Sequence, residues 1–123
     1  MLGSKIHRAT VTQADLDYEG SLTMSPELLA QADIASNEAV NVWNVTRGTR
    51  FETYAIVGEP GSSDICANGA AAHLAQPGDV VIIATFVQVA EANVAAHQPT
   101  IVFVDGRNRV RERRDEIPGP RRP

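Results

Sequence analysis

A single cysteine, Cys66, leaves this 123-residue chain without an internal disulfide, so it is no stapled secreted scaffold and the thiol reads as structural or incidental. No run of about 18 apolar residues occurs, which leaves no candidate for a membrane-spanning helix. The first residues, Met1-Leu2-Gly3-Ser4-Lys5, lack the apolar stretch of a secretory signal. A soluble, cytoplasmic protein with no membrane partner is therefore expected. The Gly-x-Ser-x-Gly elbow of an α/β-hydrolase serine is missing as well.

What is present fits one small domain. An apolar fraction of 43% is ordinary for a globular protein and supports a core. So short a chain buries only a modest share of its surface, and subunit association is a natural supplement. Charge is unevenly placed. Seven of the eleven basic residues are arginines after Gly106, giving residues 107–123 a formal charge of +4 against −8 for the rest. Arginine and proline without an apolar period read as a disordered, solvated tail, with residues 1–106 as the folded domain. Lys/Arg clusters also attract nucleic acid, but no aromatics alternate with these arginines, so no nucleic-acid partner is expected. On this reading, ending the chain after Arg107 leaves fold and activity intact.

In order along the chain, Thr10-Val11-Thr12 favours a strand over residues 4–12. Ser25-Pro26-Glu27 opens a short helix, with serine as cap and proline at the first position, and Leu28, Leu29 and Ala32 form its apolar face. Val40 to Val45 and Arg50 to Val57 read as two strands of a hairpin around the Thr46-Arg47-Gly48-Thr49 turn. Period-two alternation puts Arg50, Glu52, Tyr54 and Ile56 on one side, and so Arg50 near Tyr54. Ile65 to Ala67 is read as a short strand. Asn68 then caps a short helix through Gly69-Ala70-Ala71-Ala72-His73, whose free N–H groups and small residues would suit a carboxylate, or would only pack against the core. Asp79 to Val87 is a buried strand, residues 89–98 are helical or looped, and Ile101 to Val104 is the last strand. Short strands separated by turns indicate a mainly β, closed architecture.

Tyr18-Glu19-Gly20-Ser21 holds unusual chemistry within a common turn sequence. The Ser21 hydroxyl lies close to the carbonyl carbon of Gly20. If the backbone is strained and water excluded, it can attack and convert the peptide to an ester. Glycine suits the upstream position because no Cβ obstructs the attack. Elimination would then cut the chain and leave a dehydroalanine, which hydrolyses to a pyruvoyl group.

The blocks Lys5-Ile6-His7-Arg8-Ala9-Thr10-Val11-Thr12, Tyr18-Glu19-Gly20-Ser21, Trp43-Asn44-Val45, Thr53-Tyr54-Ala55-Ile56, Asn68-Gly69-Ala70-Ala71-Ala72-His73 and Pro77-Gly78-Asp79-Val80 run in collinear order. Together they resemble the pyruvoyl-dependent aspartate 1-decarboxylase family over roughly residues 2–105. The resemblance implies a double-psi β-barrel with small helices and a homotetramer with active sites between subunits. It also implies self-cleavage between Gly20 and Ser21 into a small and a larger chain. The activity implied is conversion of L-aspartate to β-alanine and CO2 for pantothenate synthesis, through a Schiff base on the pyruvoyl group. Neither a metal nor pyridoxal phosphate is expected. By the same resemblance Ser21 becomes the pyruvoyl, Gly20 the new C-terminus and Tyr54 the proton donor. Arg50 and Lys5 face the substrate carboxylates, Thr53, Gly69, Ala70 and Ala71 form the binding wall, and His7, Tyr18 and Asn68 support the site. A maturation factor that assists cleavage is a further partner to consider. Two other readings stay open: a serine hydrolase using Ser21 with His7 as its base, and a non-catalytic β-barrel adaptor.

Overall fold

Val11 and Thr12, two residues that link the first two strands, dictate how the sheet is shaped. In the computed structural model, which describes residues 1–121, they join β1 (Leu2–Thr10) to β2 (Gln13–Asp15). The other strands are β3 (Ser21–Met24), β4 (Ala39–Asn44), β5 (Arg50–Val57), β6 (Cys66–Asn68), β7 (Val80–Phe86), β8 (Thr100–Val104) and β9 (Val110–Arg113). Their order across one nine-stranded sheet is β2-β6-β3-β5-β4-β7-β1-β8-β9. Strands β1 and β2 are thus six places apart, roughly 29 Å in a flat sheet, whereas the chain from Thr10 to Gln13 reaches only about 10 Å. The sheet therefore curls until its two halves meet at this link. Val11 bonds to Asp79 and Gly78 on one side, while the Thr12 N–H donates to the Ile65 carbonyl on the other. The fold is mainly β and consistent with a β-barrel, although the ladder is not closed by hydrogen bonds.

The curled sheet encloses Ile6, Val11, Leu22, Met24, Val40, Val42, Ile65, Val81, Ile83 and Val102, all fully buried. Each such side chain contributes about 1.5–3 kcal/mol relative to exposure. A bulge sets the alternation of β1: its register against β7 shifts between Ile6 and Ala9, where Arg8 takes φ 64°. This lets Ile6 and Ala9 both face inward at odd spacing, a pattern that simple alternation forbids. Helix α1 (Pro26–Ala32) begins where expected, with the Ser25 hydroxyl accepting from the Leu28 N–H, and it buries Leu28, Leu29 and Ala32 against β1 and β8.

Residues 89–98, read as helical or looped, are a loop with one 3₁₀ turn, Glu91–Asn93. Two parts differ from the sequence reading. The helix after Asn68 is a five-residue 3₁₀ segment, Gly69–His73, and the Asn68 side chain does not cap it. The second difference lies in the expected disordered tail. Asn108 is buried, accepts from the Thr10 N–H at 2.7 Å and donates to the carbonyls of Thr10 and Ser63 at 2.9 and 2.8 Å. Strand β9 then pairs antiparallel with β8. A chain ended after Arg107 would leave those three backbone groups without their partner, so the reading of a dispensable tail from residue 108 does not hold for Asn108 or β9. All four β9 side chains are exposed, so no apolar pattern marks it.

A buried carboxylate fastens the β4–β5 turn to the start of β7. Asp79 accepts from Asn44 Nδ2 at 2.9 Å, the Gln76 N–H at 2.9 Å and Arg47 Nε at 2.6 Å. Burial alone would push this carboxyl up, but the bonds from Asn44, Gln76 and Arg47 together hold it below its ordinary value. A lowered carboxylate pKa stabilises the fold above the unfolded value, and that contribution is lost as pH falls through the folded value. Asp79→Asn should thus cost about 1–3 kcal/mol at neutral pH. The gap to the parent in urea unfolding should narrow below about pH 4. An equal gap at pH 7 and pH 3 would show that packing, not charge, is what Asp79 supplies.

Candidate active site

Strand β3 is only four residues long, yet it is gripped on both sides. It pairs parallel with β5, Leu22 opposite Ala55, and antiparallel with β6, Ser21 opposite Asn68 and Leu22 opposite Ala67. Leu22, Met24, Ala55 and Ala67 are fully buried, so this ladder is pinned to the core. The segment before it is a surface turn, with Tyr18 exposed. Ser21 sits where the turn is forced into the ladder.

The backbone records that force. Ser21 has φ 148°, a region that residues with a Cβ rarely enter and that costs on the order of 1–3 kcal/mol. The residue is 2% exposed. The carbonyl before it is held too: the Tyr54 hydroxyl, from β5, donates to the Gly20 oxygen at 2.8 Å. Gly69 closes the other side. It has φ +63°, and a Cβ there would lie 3.0 Å from the Gly20 Cα. Gly69 is therefore glycine for two reasons, its left-handed backbone and the close approach of the Gly20–Ser21 peptide. Asn68 Nδ2 donates to the Thr23 hydroxyl at 3.3 Å, which ties the start of the 3₁₀ segment to β3.

A cavity of about 420 Å³ opens beside this peptide, lined by Gly20, Ser21, Thr53, Tyr54, Asn68 and Ala70 among others. Ala71 lines it too, so the fold brings together most of the residues singled out in the sequence. Phe51, Glu52 and Leu74 also line it. None of the three is named as a site residue from the sequence, although alternation along β5 puts Glu52 on the side of Tyr54.

The expected cations lie elsewhere in the chain. Lys5, opposite Ala84 and Ile101, pairs with Glu116 at 2.9 Å. Arg50 lies over the Trp43 ring, 4.8 Å from its centroid. It shares a strand with Tyr54, but four residues along a strand is roughly 13 Å, so shared alternation does not make the two neighbours. His7 packs edge-on against Phe103, ring centroids 5.4 Å apart, and among the described residues its buried Nδ1 has no hydrogen-bond partner. Burial, reinforced by the charges of Lys5 and Arg8, lowers its pKa and favours neutral imidazole. None of these three lines the Ser21 cavity. Burial also pushes the Cys66 thiol up, with the Asp64 charge adding to it, which makes it a poor nucleophile.

The family described as aspartate decarboxylase matches residues 1–111 of this sequence. The chain belongs to that family. It is 71% identical over 116 residues to the aspartate 1-decarboxylase of Legionella pneumophila (strain Lens), covering 94% of this chain and 87% of that one. Against the aspartate 1-decarboxylase of Myxococcus xanthus (strain DK1622) the identity is 66% over 120 residues, 97% and 92% of the two chains. That of Rhodopirellula baltica is 60% identical over 120 residues, covering 98% and 77%. The family match extends past β8 to include Asn108 and the start of β9, in agreement with the structural boundary. Among the described residues no group of three or more His, Cys, Asp or Glu is placed to hold a metal ion, and no helix is long and apolar enough to cross a membrane.

Gly69→Ala should push the Gly20–Ser21 peptide out of its strained position. The left-handed backbone and the 3.0 Å approach to the Gly20 Cα both oppose a side chain there, so the variant should lose about 1–3 kcal/mol of stability. Urea unfolding of parent and variant measures this. Equal midpoints would mean that the close approach does not constrain the peptide.

Proposed function

We propose that this chain is a self-processing aspartate 1-decarboxylase that cleaves itself between Gly20 and Ser21 and then converts L-aspartate to β-alanine and CO2, the β-alanine serving pantothenate synthesis. The observation that carries the proposal is the backbone of Ser21, a buried serine at φ 148° whose preceding carbonyl already accepts a hydrogen bond from Tyr54.

Ser21 Oγ attacks the Gly20 carbonyl carbon, the C–N bond breaks, and the serine nitrogen is freed as an amine. Charge on the former carbonyl oxygen is met by the Tyr54 hydroxyl, a donor aimed where that charge develops. Strain at φ 148° is released as the peptide becomes an ester, which favours the shift. Loss of the Ser21 Cα proton and rupture of the Cβ–O bond then leave Gly20 as a carboxylate chain end. Residue 21 becomes a dehydroalanine, and water replaces its nitrogen, released as ammonia, to leave a pyruvoyl group.

The residues around Ser21 fit that small group. The cavity beside it has room for a four-carbon amino acid, and Phe51, Ala70, Ala71 and Leu74 give it mostly apolar walls that limit water. The pyruvoyl group supplies a ketone that takes the substrate amine and accepts the electrons released with CO2. Tyr54 returns the proton to the substrate carbon. Thr53 and the backbone at Gly69, Ala70 and Ala71 orient the substrate, and Asn68 braces that backbone through Thr23. Lys5 and Arg50 meet the two carboxylates, Arg50 with the planar fork that suits bidentate binding. Neither lines the cavity of its own chain, so the reading requires a second copy to supply them, in a homotetramer with sites between subunits. Hydrolysis by Ser21 is less favoured, because no histidine lines the cavity.

Ser21→Ala should abolish both cleavage and decarboxylation while leaving the fold, since alanine has neither a nucleophile nor a leaving oxygen. In the parent, borohydride added with L-aspartate should fix a covalent adduct on residue 21 of the larger chain. A parent that stays one chain, forms no adduct and still makes β-alanine would overturn the proposal.

Tyr54→Phe separates the two roles of that hydroxyl. Cleavage should slow about 10²–10³-fold, the worth of one donor aimed at a developing oxyanion, yet still go to completion on long incubation. Turnover by fully cleaved protein should fall about 10²–10⁴-fold, as befits loss of a general acid. Turnover near the parent's would assign protonation to another group.

A further inference from the structure

Lys5 is the only lysine in the sequence, and in this structure it is already engaged. Its Nζ lies 2.9 Å from the Glu116 carboxylate, and its side chain is only 14% exposed. The segment that delivers Glu116 is built in three stages. Asn108 anchors it to Thr10 and Ser63. Strand β9 carries it along β8, with Glu112 opposite Phe103 and Arg113 opposite Val102. Arg114 then crosses the Phe103 ring, 4.0 Å from its centroid, next to the edge-on His7. Beyond these three stages, the tip is held to Lys5 by one charge-assisted hydrogen bond, whose acidic side chain is 44% exposed. The base is firm and the tip is releasable.

We propose that the segment after β9 is an autoinhibitory strap, in which the Glu116 carboxylate occupies Lys5 in place of a substrate carboxylate and leaves when substrate arrives. This rests on the reading of Lys5 as a substrate-carboxylate partner. Glu116 offers the same group that aspartate does, tethered to the same protein. A closed fraction of the enzyme cannot use Lys5, and apparent affinity falls by that fraction. Closure acts on binding and not on the bond-breaking step, so it raises KM and leaves kcat alone.

The test uses the cleaved, full-length enzyme, Glu116→Gln, and a chain ended after Asp115 that keeps β9 and the Arg114–Phe103 contact. Two readouts are taken. Acylation by an N-hydroxysuccinimide ester, followed by peptide mass mapping, reads Lys5 directly and separates it from the N-terminal amine. It should be at least about two-fold faster in both variants. The KM for L-aspartate should fall about two- to five-fold at unchanged kcat, the size a partly exposed ion pair can supply. In a Lys5→Ala background, Glu116→Gln should change nothing further. Equal acylation in parent and variants overturns the strap whatever the kinetics show. Faster acylation with an unchanged KM also overturns it, and places the fault in the role given to Lys5. In that case Lys5→Ala alone leaves KM at the parent value.

Discussion

A serine held at φ 148° is the constraint on which the rest depends. Left to itself the Gly20–Ser21 peptide would relax, and on the side of the exposed turn it is held by one hydrogen bond, from Tyr54 to the Gly20 carbonyl. What prevents this is the ladder after it: β3 cannot shift without breaking its pairing to β5 and β6 at once and withdrawing Leu22 and Met24 from the core. A few kcal/mol of local strain is opposed by several buried side chains, each worth about as much. The strain persists because core burial outweighs it.

The same reasoning explains why the neighbours of Ser21 come from distant parts of the chain. Tyr54 and Thr53 lie on β5, and Asn68 to Ala71 lie on and beyond β6. These elements meet because the sheet curls around the Val11–Thr12 link. The Asp79 cluster serves the curl in turn, tying the β4–β5 turn to the start of β7, beside the point where Asp79 and Gly78 bond to Val11. Backbone strain at the site thus rests on its own ladder and, behind that, on tertiary contacts that never touch it.

Charge is arranged on a second face. Among the described residues the Ser21 cavity has no cation in its lining, while Lys5 and His7 lie against β8 under Arg114 and Glu116. A dicarboxylic substrate needs positive charge close by, since carboxylates are costly to desolvate unpaired. In one copy of the chain the Ser21 cavity and the Lys5 face are apart. The C-terminal segment, charged and without apolar residues at regular spacing, lies over the Lys5 face.

Much of this was legible in the residues. Arg50 to Val57 as a strand, Ser25 and Pro26 as a helix start, and the buried run of β7 follow from local propensity and periodicity, which act within a few residues. The blocks around Gly20–Ser21, Tyr54 and Asn68 mark the family in the same local way. Strands β2, β3 and β9 were not legible, because they are three or four residues long and exist only through partners far along the chain; β9 has no inward-facing side chain at all. Nor could spacing show that Arg50 stacks on Trp43, that Asn68 braces Thr23 instead of capping, or that Lys5 pairs with a residue 111 positions away. Composition and short-range pattern decided which of the longer segments are strands and which blocks mark the family. Only the curled sheet decided that this peptide is strained, buried and met by Tyr54, because those properties are set by contacts between segments and not within them.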